Sequence, residues 1–260
     1  GFPTESPLLL SDTLEKLTNE SLFKIEVLKD LNLSNNIDVK IAKNNPDKEV
    51  VFFAVGFETT APANALSVLH AQKEGVKNYS ILVSHVLVPP AMEAILDDDL
   101  CNIDAFLGAG HVCAIMGYNE YLPLAEKYKI PIIITGFEPL DLVQGIYMAV
   151  CQLEKGISKV ENQYARVVKK EGNKAAIQVI EKVFEIGNRE WRGIGEIPKS
   201  GYRLKENFKD FDAELKFGIN HIKVPENPDC IAGEILRGIK KSRLNYYIFK
   251  IRLTNKPKIL

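Results

Sequence analysis

Val50-Val-Phe-Phe-Ala-Val-Gly56-Phe57-Glu58-Thr59-Thr60-Ala61-Pro62 is an apolar run that ends in Gly-Phe-Glu and breaks into a helix start. The same pattern returns as Pro131-Ile-Ile-Ile-Thr-Gly136-Phe137-Glu138-Pro139-Leu140-Asp141. Runs of β-branched and aromatic residues with almost no polar interruption suit strands buried on both faces, as in a parallel sheet. Glycine after such a strand permits a sharp turn, and Thr or Pro then caps or fills the first turn of a helix. Each copy therefore sets a carboxylate at the C-terminal edge of a parallel sheet, where α/β proteins bind ligands.

Working outward, residues 48–156 alternate strand and helix signals. Strands are expected at about 50–56, 79–85, 105–109 and 131–136, and helices at about 60–75, 89–98, 117–128 and 139–155. This order predicts an α/β fold, a parallel sheet flanked by helices in a Rossmann-like three-layer arrangement, followed by a helical and loop-rich C-terminal region. The organisation reads as a divergent N-terminal segment (1–46), a central α/β domain (47–158), a helical and loop-rich region (159–238) and a basic atypical tail (239–260). Within the first segment, Leu14, Leu17, Leu22, Ile25 and Leu28 recur at roughly helical spacing between Asp12 and Leu31. Beyond Glu161, helices are expected over Asn162–Lys170 and Asn173–Phe184. Glu185–Leu204, with Gly187, Gly193, Gly195, Pro198 and Gly201, reads as loop. The stretch Arg237–Leu260 carries eight Lys or Arg and no acid, which fits either a surface-binding tail or out-of-frame sequence.

Composition sets ordinary bounds. The 260 residues are 46% hydrophobic and 26% charged, enough for one or two globular domains. With 33 basic against 34 acidic residues, the net charge of −1 argues against nucleic acid as the main partner. No apolar run reaches the roughly 18 residues that a membrane span needs. Four scattered cysteines, Cys101, Cys113, Cys151 and Cys230, fit a reducing cytoplasm better than a disulfide framework.

On a single sheet, the strand ends deliver Glu58, Thr59 and Thr60, then Ser84 and His85, then Gly108, Gly110 and His111, then Glu138 and Asp141 to one rim. Two carboxylates and one or two histidines there can run acid–base chemistry, orient a metal ligand or hydrogen-bond a partner. Each also has a plain structural use: the threonines as helix caps, the glutamates on backbone donors, His85 in the core. His111, framed by Gly108-Ala-Gly110 and Val112, has the best case for function. Gly108-Ala-Gly110-His-Val is neither a phosphate loop nor a dinucleotide fingerprint, and Cys101 and Cys113 form no metal knuckle.

Several ordered strings resemble the hydrogenase maturation protein HypD family. They are Ala54–Pro62, His85 with Leu87-Val-Pro-Pro-Ala91, Gly110-His-Val112, Gly136–Asp141, Glu161-Asn-Gln-Tyr-Ala-Arg166, Trp191-Arg-Gly-Ile-Gly195 and Ser200-Gly201. They span about Asp38 to Gly238. The resemblance implies a scaffold of α/β domains on which the Fe(CN)2CO unit of [NiFe]-hydrogenase is assembled. It implies a small HypC-like chaperone and a HypE-like cyanide donor as partners, iron, and a [4Fe-4S] cluster near the C-terminus. It places Gly56, Phe57, Glu58, Thr59, Thr60, His111, Glu138 and Asp141 around the cleft that faces the iron thiols, in supporting roles.

The sequence departs from the family pattern at the thiols. Neither the Cys-Gly-x-His-x-His type motif nor the Cys-Pro-x-Cys type motif occurs in these residues. Cys230 opens a segment resembling the cluster-binding stretch, but Ala232 stands where the second Cys is expected. The change of character near Lys241 fits a frameshift or truncated reading. The expectation is a HypD-like chain, incomplete at both ends, with impaired metallochemistry and Cys230 as a remnant ligand. The alternatives are a non-catalytic docking module or inactive fragment, and an enzyme using Glu58 and Glu138 on a small anionic substrate.

Overall fold

The computed structural model describes residues 37–219 and 230–240. The amphipathic stretch at 12–31 and the tail from 241 onward lie outside them.

Helix α1 (Ile37–Asn44) leads into β1 (Val50–Gly56), α2 (Ala61–Glu74), β2 (Tyr79–His85) and α3 (Val88–Leu96). Proline stands in the first turn of both α2 and α3, where its missing N–H leaves no helical bond unmade. Gly75, at φ +68°, ends α2 and returns its N–H to Ala71 and Gln72. Strands β1 and β2 pair in parallel, Val50 opposite Tyr79 through Gly56 opposite His85.

A second parallel sheet follows in the order β3 (Phe106–Ala109), β4 (Ile132–Thr135), β5 (Val160–Asn162). Between β3 and β4 lie α4 (Gly110–Met116) and α5 (Tyr121–Tyr128), and α6 (Pro139–Glu154) joins β4 to β5. Helix α7 (Lys174–Val183) then enters an antiparallel hairpin of β6 (Phe184–Trp191) and β7 (Gly195–Leu204). A 3₁₀ turn (Glu206–Phe211), α8 (Ala213–Phe217) and α9 (Ala232–Leu236) complete the described elements. No described helix is long and apolar enough to cross a membrane.

The α/β class with parallel sheets and flanking helices is as the sequence predicts, and the four expected strands fall within a residue or so of their positions. They do not form one sheet, however. Hydrogen bonding divides them into β1–β2 and β3–β4–β5, so the strand ends make two rims instead of one. Burial on both faces holds for β4, every residue of which is buried. It fails for β1: Val50, Phe52 and Ala54 face the core, while the alternate residues Phe53 and Val55, on the opposite face, are 39% and 57% exposed.

Three further expectations are corrected. The helix expected over 117–128 begins only at Tyr121; a separate helix, α4, precedes it and ends at Gly117 with φ +76°. Asn162–Lys170 is not a helix but β5 running into turns, closed by the Asn162 amide donating to Val168 O at 3.0 Å. Glu185–Leu204 is not loop but the β6–β7 hairpin. Its glycines have jobs within a ladder: Gly187 faces Gly201 across the pair, and Gly193 and Gly195 supply positive φ at the turn.

Two cores result. One joins Val39, Val68, Tyr79 and Ile81 to Ile180, Phe184 and Tyr202, so the hairpin and α7 pack on the β1–β2 sheet. The other joins Met92, Cys113, Tyr121 and Leu124 to Ile132 and Ile134. Each fully buried aliphatic side chain contributes about 1.5–3 kcal/mol of transfer free energy.

Candidate functional site

The turn after β1 is built around Gly56. Its φ of +152° suits glycine, and a Cβ there would lie 2.5 Å from Thr60 Oγ1. Thr60 donates its hydroxyl to Phe57 O at 3.2 Å, closing the turn, and makes no side-chain cap on α2. Phe57 and Thr59 are half-buried beside it. Glu58 turns inward: it is buried, and its Oε1 accepts the Val88 N–H, the first of α3, at 2.9 Å. Glu58 Oε2 has no partner, and burial pushes the carboxyl up to about 7. Burial thus favours the protonated acid over the carboxylate compared with a solvent-exposed glutamate.

The β2–α3 joint closes on the same turn. Val86 N–H reaches Gly56 O at 3.0 Å, Leu87 N–H reaches Ser200 O at 2.8 Å, and Val86 forms an isolated antiparallel bridge with Gly201. Ser200 also takes the Trp191 indole N–H at 2.9 Å and donates to Ile197 O at 2.8 Å. His85 is fully buried against Phe184 and Tyr202, with Nε2 2.8 Å from the Asn64 amide. Burial holds its pKa down near 4, so the ring is neutral and serves the core.

The second rim gathers different residues. Asp141, nearly buried at the start of α6, is gripped by Arg166, Nη1 to Oδ1 at 2.8 Å and Nη2 to Oδ2 at 2.6 Å. Gln163 adds an N–H to Oδ1 at 2.9 Å. The Arg166 guanidinium also lies over the Tyr164 ring at 4.4 Å, and Glu138 approaches it at 3.9 Å from an exposed position. Gly110 and Gly136 admit this packing: an added Cβ would meet Thr135 O and Tyr164 in one case and Asp141 in the other. His111 is exposed, its ring 4.6 Å from that of Phe137, and partial desolvation lowers its pKa.

The structure thus brings His111, Glu138 and Asp141 together, and separately Gly56, Phe57, Glu58, Thr59 and Thr60 with His85. Helix α4 links the groups. His111 stands at its exposed start, and Cys113 two residues on is buried within electrostatic reach of Glu58. Burial, reinforced by Glu58, pushes the Cys113 thiol up to about 12, which makes it a core residue and not a nucleophile. Sequence reasoning did not place Arg166, Gln163 or Asn64 in the site. Arg166 and Gln163 lay in a quoted motif, but their reach to Asp141 depends on the turn after β5.

The Cys230 segment forms a third assembly. Arg237 donates from Nη1 to Asp98 Oδ2 at 3.0 Å, from Nη2 to Gly193 O and from Nε to Gly233 O, both at 3.1 Å. It thereby pins α9 to the turn of the β6–β7 hairpin and to the loop after α3. Cys230 is half-buried just before α9. The donor set does not fit a four-thiolate cluster: among the described residues no three His, Cys, Asp or Glu side chains converge as a metal site, and Cys113 is held as a thiol.

Parallel sheets flanked by helices, with glycine turns at their strand ends and carboxylates held by a backbone donor and by an arginine clamp, define an α/β protein. The chain belongs to the HypD family. The family model, described as "Hydrogenase formation hypA family", matches residues 20–250, reaching past the 38–238 interval of the motifs on both sides. The chain is 45% identical over 210 residues to the hydrogenase maturation factor HypD2 of Bradyrhizobium diazoefficiens, covering 78% of this chain and 55% of that protein. It is 44% identical over 211 residues to the hydrogenase expression/formation protein HupD of Azotobacter chroococcum (79% and 56%). Against the hydrogenase maturation factor HypD of Rhodobacter capsulatus the identity is 41% over 208 residues (78% and 55%). The chain spans about half the length of these curated relatives.

Proposed function

We propose that this chain acts in the cytoplasm as a HypD-type maturation scaffold for [NiFe]-hydrogenase, supporting assembly of the Fe(CN)2CO unit, its cargo, with a HypC-like chaperone and a HypE-like cyanide donor. The observation that supports the reading is the convergence of the motifs. Strings scattered from residue 54 to 201 close on one another as two hydrogen-bonded turn assemblies joined through α4. The work of its own residues is positional: Glu58 fixes the start of α3, Arg166 fixes the start of α6, and His111 and Phe137 present an aromatic pair at the surface.

The thiols that the family resemblance assigns to iron do not occur in these residues, and the described donors do not suit a [4Fe-4S] cluster. Iron handling by the 260 residues alone is therefore impaired in this reading, and docking and support are what they contribute. The near-balanced net charge supports protein partners over nucleic acid. The test is size-exclusion chromatography of the purified chain mixed anaerobically with a HypC-like chaperone. Co-elution that Arg166→Ala weakens is expected. Separate elution of two folded proteins would overturn the docking role.

A further inference from the structure

Pro89 and Pro90, at the centre of the Leu87–Ala91 motif, do more than start α3. With Pro123 and Leu124 of α5 they wall a groove of about 310 Å³ between the two helices. A proline ring offers an apolar face, has no N–H to satisfy and loses no rotamer freedom when it is covered. Such walls take an occupant at little ordering cost.

The charges in the groove select that occupant. Glu93 and Lys127 also line it, and they pair with each other at 2.9 Å. Lys127 is further engaged by Asp97 at 3.6 Å. Glu120, the third charged group of the lining, stands exposed just ahead of α5 and caps no helical N–H. Loss of water raises the pKa of its carboxyl, and no cation among the described residues acts to lower it. Glu58 lies within electrostatic reach and adds to the negative potential when ionised. One negative charge in the groove is thus left unmatched beside apolar walls.

An arginine side chain meets both demands. Its methylene stem covers apolar surface, its planar guanidinium can lie on a flat face, and its paired N–H groups fit a carboxylate. Lysine supplies the charge without the plane or the fork, and its ammonium is more strongly hydrated. An aliphatic group would cover the groove and leave the carboxylate without a donor. We propose that the groove between α3 and α5 is a docking site for an arginine side chain of a protein partner, held by Glu120. The site would serve any partner that presents such a side chain, so it stands apart from the maturation role.

The test is amide NMR of the full isotope-labelled chain, titrated with acetyl-arginine methylamide. Shifts are expected at Ala91, Glu93, Tyr121 and Lys127, saturating with a dissociation constant on the order of 1 mM. Acetyl-citrulline methylamide has nearly the same shape without the charge, and it should bind about fivefold more weakly or worse. Glu120→Gln should weaken the arginine probe by a similar factor, with the rest of its spectrum reporting an intact fold. The citrulline comparison needs no variant. Absence of shifts at these residues, or shifts confined to another surface, would overturn the proposal. Equal binding of the citrulline probe, or of the arginine probe to Glu120→Gln, would also overturn it, because the carboxylate would not be selecting the ligand. Equal binding of the lysine counterpart would overturn the assignment to arginine.

Discussion

Arg166 and Asp141 meet through two near-parallel hydrogen bonds, 2.8 and 2.6 Å long, that tie the turn after β5 to the first turn of α6. The pair is bidentate, so its geometry is carried by the planar guanidinium fork, and lysine cannot reproduce it. Arg166→Lys is expected to speed amide exchange at 162–168 by about tenfold or more while leaving the β1–β2 block unchanged. Exchange unaltered at those amides would show that the turn is held by its backbone alone.

The same pair has a pH signature. The hydrogen bonds from Arg166, and after them that from Gln163, hold the Asp141 carboxyl below its ordinary value. Its stabilising contribution is therefore complete above the unfolded carboxylate pKa of about 4 and disappears as pH falls through the lower folded value. Acid titration of wild type against Asp141→Asn should show the two stability curves converging below about pH 4.

Glu58 carries the opposite sign. Burial raises its folded pKa to about 7, above the unfolded value near 4.3, so the native state holds a proton that the unfolded state has released. Stability therefore falls as pH rises from about 4 to 7 and levels off above, by a total on the order of 4 kcal/mol. Glu58→Gln keeps an acceptor for Val88 N–H and removes the titration. Denaturant melts at pH 5 and pH 8 should differ in wild type and agree, for this group, in the variant.

Gly56→Ala tests the first turn. The added methyl meets Thr60 Oγ1 and the φ of +152° is unfavourable for alanine, at a combined cost of about 1–3 kcal/mol. Adding Thr60→Ala should recover the steric part and leave the conformational part. Full additivity of the two changes would show that the contact is not the cause.

Arg237→Ala removes two hydrogen bonds that tie the α9 segment to Asp98 and Gly193, and a third to Gly233 within α9. Limited proteolysis should then cut within 230–240 and leave the α/β core intact. Resistance equal to wild type would mean that the close approach of Gly193 to Gly233 suffices to hold the segment.

Much of the α/β core was legible because β1 and β4 are apolar runs closed by Gly, and β2 carries an Ile-Leu-Val centre with Pro soon after it. Pairing was not legible: periodicity marks a strand but not its neighbour, so nothing in the sequence separated β2 from β3. The hairpin was hidden because Gly187 and Gly201, which read as loop signals singly, face each other across the ladder and let Arg203 and Arg189 side chains lie over them. Asn162–Arg166 read as helical because its polar residues permit a helix, whereas Asn162, Gln163 and Arg166 are committed to contacts 6 to 25 residues away. The site followed the same division. Glu58, His111, Glu138 and Asp141 could be named from strand ends, but their partners Val88, Phe137 and Arg166 emerge only in three dimensions.

We propose that these 260 residues supply the positional part of a HypD scaffold and not its metal centre. The most direct test is anaerobic determination of iron and acid-labile sulfide on the purified chain, with its absorbance spectrum. The account predicts iron and sulfide far below one per chain and no iron–sulfur absorbance. About four of each per chain, the content of a [4Fe-4S] cluster, would contradict it.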